Sequence, residues 1–162
     1  MAYALHPARC MDRIADALEL LTAQHDEIER LLAVVSNSAS PDTRSRARIE
    51  LAEKLPIHLA LEQELFYPNM TTIISSEVLC ELVAEHSEIK RILADLLWSD
   101  LDDAELHREL ATLRELFEVH RAWQESYLFE TVAEARDQGE LSSLGDAMHA
   151  WVERLSSVAT AA

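Results

Sequence analysis

Apolar residues along this chain recur in steps of three and four, the spacing that gathers them on one face of an α-helix. One stripe runs Ile14, Leu18, Leu21, Ile28, Leu32, Val35, and a second runs Leu51, Leu55, Leu65. A third runs Leu79, Leu82, Ile89, Leu93, Leu96, a fourth Leu106, Leu110, Leu113, Phe117, Tyr127, and a fifth Leu144, Met148, Trp151, Leu155, Val158. Between the stripes lie stop and start signals. Ser36–Ser40 reads as a turn, with Ser40 as an N-cap and Pro41 at the first helical position. Ser75-Ser76 caps a third helix, Asp102-x-x-Glu105 has the form of a capping box for a fourth, and Gly139 reads as the end of that helix. The spacing therefore predicts helices over about 8–36, 41–69, 76–98, 102–136 and 140–158. Pro56, inside the second, frees the carbonyl of Ala52 and predicts a kink there.

Polar residues interrupt these stripes at matching places. His25 falls on the first, His58 and Glu62 on the second, His86 on the third, and His120 with Gln124 on the fourth. Four residues advance a helix by about 400°, so His58 and Glu62 lie only about 40° apart and can grip one ion together. The pattern is a tandem repeat. His25-Asp-Glu-Ile-Glu-Arg-Leu-Leu recurs as His86-Ser-Glu-Ile-Lys-Arg-Ile-Leu, and His58-Leu-Ala-Leu-Glu62-Gln-Glu-Leu-Phe-Tyr as His120-Arg-Ala-Trp-Gln124-Glu125-Ser-Tyr-Leu-Phe.

Composition agrees with long helices and short links: 162 residues, 49% apolar, with only two glycines and four prolines. The expectation is one all-α domain over residues 1–162: an antiparallel up-down-up-down four-helix bundle over about 8–136, with an additional C-terminal accessory helix over about 140–158. A formal charge of −16 repels phosphate backbones and anionic headgroups, which argues against nucleic-acid and membrane partners. No apolar run reaches membrane-spanning length and no signal-peptide layout is apparent, so a cytoplasmic location is expected. Cys10 and Cys80 lack the spacing of a metal or redox motif and read as reduced, structural cysteines.

Each of the four stripe histidines sits near the middle of its helix. Antiparallel neighbours then bring all four into one layer of the bundle. A single histidine on an apolar face is ordinarily a satisfied core residue, but four at one level cannot satisfy one another in a dry interior, whereas one metal centre accepts them all. Imidazole and carboxylate without thiolate favour non-haem iron, with zinc or manganese as alternatives.

These residues resemble the hemerythrin-like proteins that carry the HHE cation-binding domain, over roughly residues 14–135. The resemblance implies a left-handed four-helix bundle around a carboxylate-bridged di-iron centre, with His25, His58, Glu62, His86 and His120 at ligand positions. The chain departs from the family at Gln124, where glutamate is expected, and an amide leaves one positive charge uncompensated. Glu125 has the spacing at which classical hemerythrins place their last carboxylate. On a regular helix it lies about 140° round from His120, so it serves only if the helix distorts locally, as in a π-bulge. Lys90 stands where classical hemerythrins have a further histidine, so the complete oxygen-carrier set is absent.

The expected function is binding or sensing of O2, NO or peroxide at one or two iron ions. The alternatives are a degenerate bundle acting as a regulatory or interaction module with a structural metal or none, and a di-iron enzyme that disproportionates peroxide. His6, His107 and His149 read as peripheral, and Tyr67 and Tyr127 as packing residues without a metal role.

Overall fold

Three Asp-x-x-Glu segments set helix starts. The Asp16 carboxylate accepts from the backbone N–H groups of Leu18 and Glu19, both at 3.0 Å, while the Glu19 carboxylate accepts from the Asp16 N–H at 3.2 Å. The same reciprocal pairing recurs in Asp102/Glu105 and Asp137/Glu140, each satisfying amides that a helix N-terminus leaves without partners. The computed structural model describes residues 16–98 and 102–160. Its helices are α1 (Ala17–Asn37), α2 (Pro41–Leu61), α3 (Ser76–Trp98), α4 (Asp103–Trp123), α5 (Phe129–Ala135) and α6 (Gln138–Thr160). A π-helical turn, Glu62–Phe66, and a 3-10 turn, Tyr67–Met70, follow α2, and a second π turn, Gln124–Leu128, joins α4 to α5. The described residues include no strand.

Two boundaries differ from the sequence expectation. α1 begins at Ala17 rather than near Ala8, because Asp16 is extended (φ −66°, ψ 173°) and caps the helix; the apolar stripe running back through Ile14 hid that cap. His6, Cys10 and Ile14 lie outside the described residues. Gly139 ends nothing: the break falls at Arg136, which is extended, and Gly139 sits in the first turn of α6 behind the Asp137 cap. α2 runs on through Pro56 and gives way to the π turn only at Glu62.

α1 packs against α2 and α4, and α3 packs against the same two helices, so the four close a ring. α6 lies along α1 and α2, burying Leu141 and Met148, and Gln138 Nε2 donates to Asp16 Oδ2 at 2.9 Å to tie the two helix starts together. The interior of the ring is divided. One apolar cluster holds Ile28, Leu31, Leu32, Leu51, Leu55, Ile89, Ile92, Leu113 and Phe117; another holds Leu21, Leu61, Phe66, Met70, Leu82, Leu128 and Val132. Between them lies a layer of buried polar side chains: His25, His58, Glu62, His86, His120 and Gln124. α1 passes from the second cluster to the first, α2 from the first to the second, and α3 and α4 repeat that alternation. Burying six polar side chains together costs free energy unless they find partners, so this layer is where the fold departs from simple apolar packing. No helix of the described residues is long and apolar enough to cross a membrane.

Candidate metal centre

The carboxylate of Glu62 lies at the middle of the layer with an imidazole on every side. Its Oε1 is 3.5 Å from His58 Nε2 and 3.8 Å from His25 Nε2, while its Oε2 is 3.0 Å from His86 Nε2 and 3.3 Å from His120 Nε2. Ligand atoms of His25, His58, Glu62 and His120 all fall within 4.8 Å of one another, and all four residues are buried. His86, beyond Glu62 Oε2, stands outside that group of four. The inward atoms are short of partners. His25 Nε2, His58 Nε2, His120 Nε2, Glu62 Oε1 and Gln124 Oε1 are each buried without a hydrogen bond in the protein. Buried polar atoms are ordinarily paired, so the four residues that converge with unpaired atoms, His25, His58, Glu62 and His120, are a donor set with the partner a cation would supply. Nitrogen and oxygen donors without sulfur suit iron, zinc or manganese. This convergence can hold a metal ion.

The family model of the hemerythrin HHE cation-binding domain matches residues 16–132. The chain belongs to the hemerythrin HHE family. No curated protein and no solved structure matches it. In this HHE domain the remaining contacts of the layer can be read residue by residue. Two of the outer ring nitrogens have acceptors, His25 Nδ1 at 2.9 Å from Glu125 Oε1 and His58 Nδ1 at 2.9 Å from Gln24 Oε1, while His120 Nδ1 lies 3.5 Å from Glu85 Oε2, an ion-pair distance without a hydrogen bond. Such contacts hold the rings so that Nε2 faces inward. His86 Nδ1 has none. Glu125 thus stands behind His25 rather than among the converging atoms, and Arg121 Nε holds it at 3.1 Å. Arg121 also pairs with Asp26 and Glu29.

Both π turns fall at the repeat-equivalent carboxylate and amide positions. A π turn bonds residue i to i+5, which brings the residue five positions on above residue i instead of leaving it about 140° away. The Tyr67 N–H bonds the Glu62 carbonyl and the Phe129 N–H bonds the Gln124 carbonyl. Tyr67 is therefore delivered to the centre. Its hydroxyl donates to Glu62 Oε2 at 3.1 Å, lies 3.0 Å from His86 Nε2, and accepts from Gln124 Nε2 at 2.8 Å. Treating Tyr67 as packing alone is corrected by this geometry, whereas Tyr127 is 56% exposed and has no place at the centre. On a regular helix Tyr67 would point elsewhere, so the i+5 bond is the signal that helical spacing misses. Phe129 occupies the matching place over His25, stacked within 4° at 6.0 Å, and Phe117 closes the opposite side against His25, His58 and His120.

Charge is distributed unevenly among the rings. Burial pushes His58 down to about 3, against the pull of Glu62, so it stands neutral and ready to donate a lone pair. His120 is pushed the other way, to about 9: burial opposes its proton, but the Glu62 carboxylate and then Glu85 outweigh burial. Burial would raise Glu62, yet the surrounding His58 and His120 hold it well below the usual carboxylate range. Tyr67 is pushed well above its ordinary value by burial and by Glu62, so it keeps its proton.

His107 is exposed, with Nδ1 2.5 Å from the Asp103 carbonyl, and His149, on α6, is half-buried away from the layer. Substituting His58→Ala should cut bound metal by at least about tenfold, since one of the converging ring nitrogens is lost. His107→Ala should leave it unchanged. Metal analysis of the two purified variants makes the comparison, and equal loss from both would contradict the layer.

Proposed function

We propose that this HHE domain is a non-haem iron protein that binds or senses O2, NO or peroxide at the buried His/carboxylate centre. The observation that carries this reading is the set of unpaired inward atoms on His25, His58, His120, Glu62 and Gln124. His25, His58 and Glu62 Oε1 would hold one ion, and His86, His120 and Glu62 Oε2 a second, in keeping with the way the two Glu62 oxygens divide the histidines. Bound iron would supply an open coordination position and a redox couple. The residues around it do the rest: Phe117, Phe129 and the flanking leucines exclude bulk water, and Tyr67 keeps a proton beside Glu62 with Gln124 Nε2 fixing its orientation. Complete burial of the inner residues supports a ligand of two to four atoms rather than an organic substrate.

The same reading takes the ring α1–α4 as an antiparallel up-down-up-down bundle, supported by the alternating order in which the helices pass the two apolar clusters. It takes residues 1–162 as one domain with α6 as accessory helix, and a cytoplasmic location, supported by the acidic surface and the unpaired, exposed Cys80.

Gln124 favours a second reading, a bundle kept as a regulatory or interaction module with zinc or no metal. Anaerobic reconstitution with Fe(II), followed by metal analysis and optical spectra before and after O2 or NO, separates the two. Bound iron with a gas-dependent spectrum is the expected result; tight zinc without any gas response supports the module. Oxygen evolution from peroxide by the iron-loaded protein tests the enzymatic alternative. Chelating the metal should lower Tm in proportion to RT ln(1 + [L]/Kd), with far-UV circular dichroism staying helical because both apolar clusters survive.

A further inference from the structure

The repeat that aligns His25 with His86 and His58 with His120 also aligns the residues behind them, and there the charges trade places. In the first repeat the inner residue is a carboxylate, Glu62, and the flanking positions are amides, Gln24 and Gln63. In the second repeat the inner residue is the amide Gln124, and the matching flanking positions are carboxylates, Glu85 and Glu125. The structure puts these two carboxylates to use. Glu125 Oε1 is hydrogen-bonded to His25 Nδ1 at 2.9 Å, and Glu85 Oε2 lies 3.5 Å from His120 Nδ1, at ion-pair distance without a hydrogen bond. Gln24 backs His58 as a neutral acceptor, while Gln63 turns away to Lys90 and leaves His86 Nδ1 without a partner. Each oxygen of Glu62 therefore faces one carboxylate-backed imidazole: His25 on the Oε1 side, His120 on the Oε2 side.

We propose that Glu85 and Glu125 replace, from behind the histidines, the inner carboxylate that Gln124 lacks, and so let the centre keep two divalent cations. The inference rests on the metal-binding reading above. A carboxylate that accepts the Nδ1 proton of a ring, as Glu125 does from His25, makes its Nε2 a stronger donor, and one paired by charge, as Glu85 is with His120, lends negative charge to a cation held on the far side of the ring. Both carboxylates are about one-third exposed, at 31% for Glu85 and 28% for Glu125, so neither is itself buried at the centre. Arg121 ties Glu125 in place, which a purely surface role would also explain. Rescue from the inner position discriminates the two roles, because a surface ion pair has no reason to respond to residue 124.

The test uses the full chain with Glu85→Gln, Glu125→Gln, the double variant, and the double variant carrying Gln124→Glu. Each is loaded anaerobically with Fe(II), then measured for ions per chain and for affinity by chelator competition, with melting of the metal-free protein as a folding control. Wild type should hold two ions. Each single substitution should weaken iron binding by about 10–100-fold. The double variant should retain at most one ion, and Gln124→Glu should restore the second, while adding little to wild type. A double variant that keeps both ions within about threefold of wild-type affinity overturns the proposal, as does a loss that Gln124→Glu fails to rescue, or a wild type that takes only one. A wild type that binds no transition metal at all would instead sink the metal reading itself.

Discussion

Glu62→Gln is expected to empty the centre. Both oxygens of this one carboxylate face the four imidazoles, so the amide removes the negative charge shared by every cation position. The loss should exceed the about 10–100-fold typical of an outer hydrogen-bond partner, because the Glu62 oxygens themselves face the converging ring nitrogens. Side-chain volume and an acceptor for the Tyr67 hydroxyl are preserved, so the variant separates charge from packing. Its metal-free form should remain helical, since Leu61, Phe66 and Met70 stay buried with their neighbours. Metal analysis with circular dichroism reads both outcomes at once. Wild-type metal content in a folded Glu62→Gln protein would falsify the role given to Glu62.

Metal affinity should rise with pH by about tenfold per unit from near neutrality to about pH 9, then level off. The reason lies in His120. The metal-free centre holds a proton on this ring up to about pH 9, through Glu62 and Glu85, and that proton must leave before the ring can ligate. His58, pushed down to about 3, is neutral throughout this range and adds no slope. Near pH 7 metal uptake should therefore release about one proton, measurable by a pH indicator in weak buffer or by calorimetry in buffers of different ionisation enthalpy. The same shift acts oppositely on the metal-free fold. A folded pKa above the unfolded value contributes stability that is complete below about 6.5 and is lost as pH rises through about 9. The His120 contribution to metal-free stability should thus fall over the window in which metal affinity climbs. Affinity independent of pH from 6 to 9 would show that His120 carries no proton in the metal-free centre.

Several features of the site were legible because they depend on short-range periodicity. His25, His58, His86 and His120 stand on apolar stripes, and a residue on a stripe faces the core whatever the helix packs against. Gln124 was readable as a departure because the repeat supplied Glu62 for comparison, and Asp102-x-x-Glu105 was readable as a start because capping is a four-residue affair. The Asp16 and Asp137 caps use the same chemistry but were obscured by an apolar stripe and by a nearby glycine.

By itself, then, the order of residues determined the helical class, the core-facing histidines, the tandem repeat and the donor types, because each follows from spacing within a few turns of one helix. Only the tertiary structure decided which atoms meet. The π turns at Glu62 and Gln124 shift the helix register by one residue, placing Tyr67 over Glu62 and Phe129 over His25. The close approach of α1 to α4 and of α3 to α4 puts Glu125 behind His25 and Glu85 behind His120, contacts between residues far apart in the chain. A helical periodicity of three to four residues cannot register such pairs, since the distance between them is set by how the helices pack and not by how each one turns.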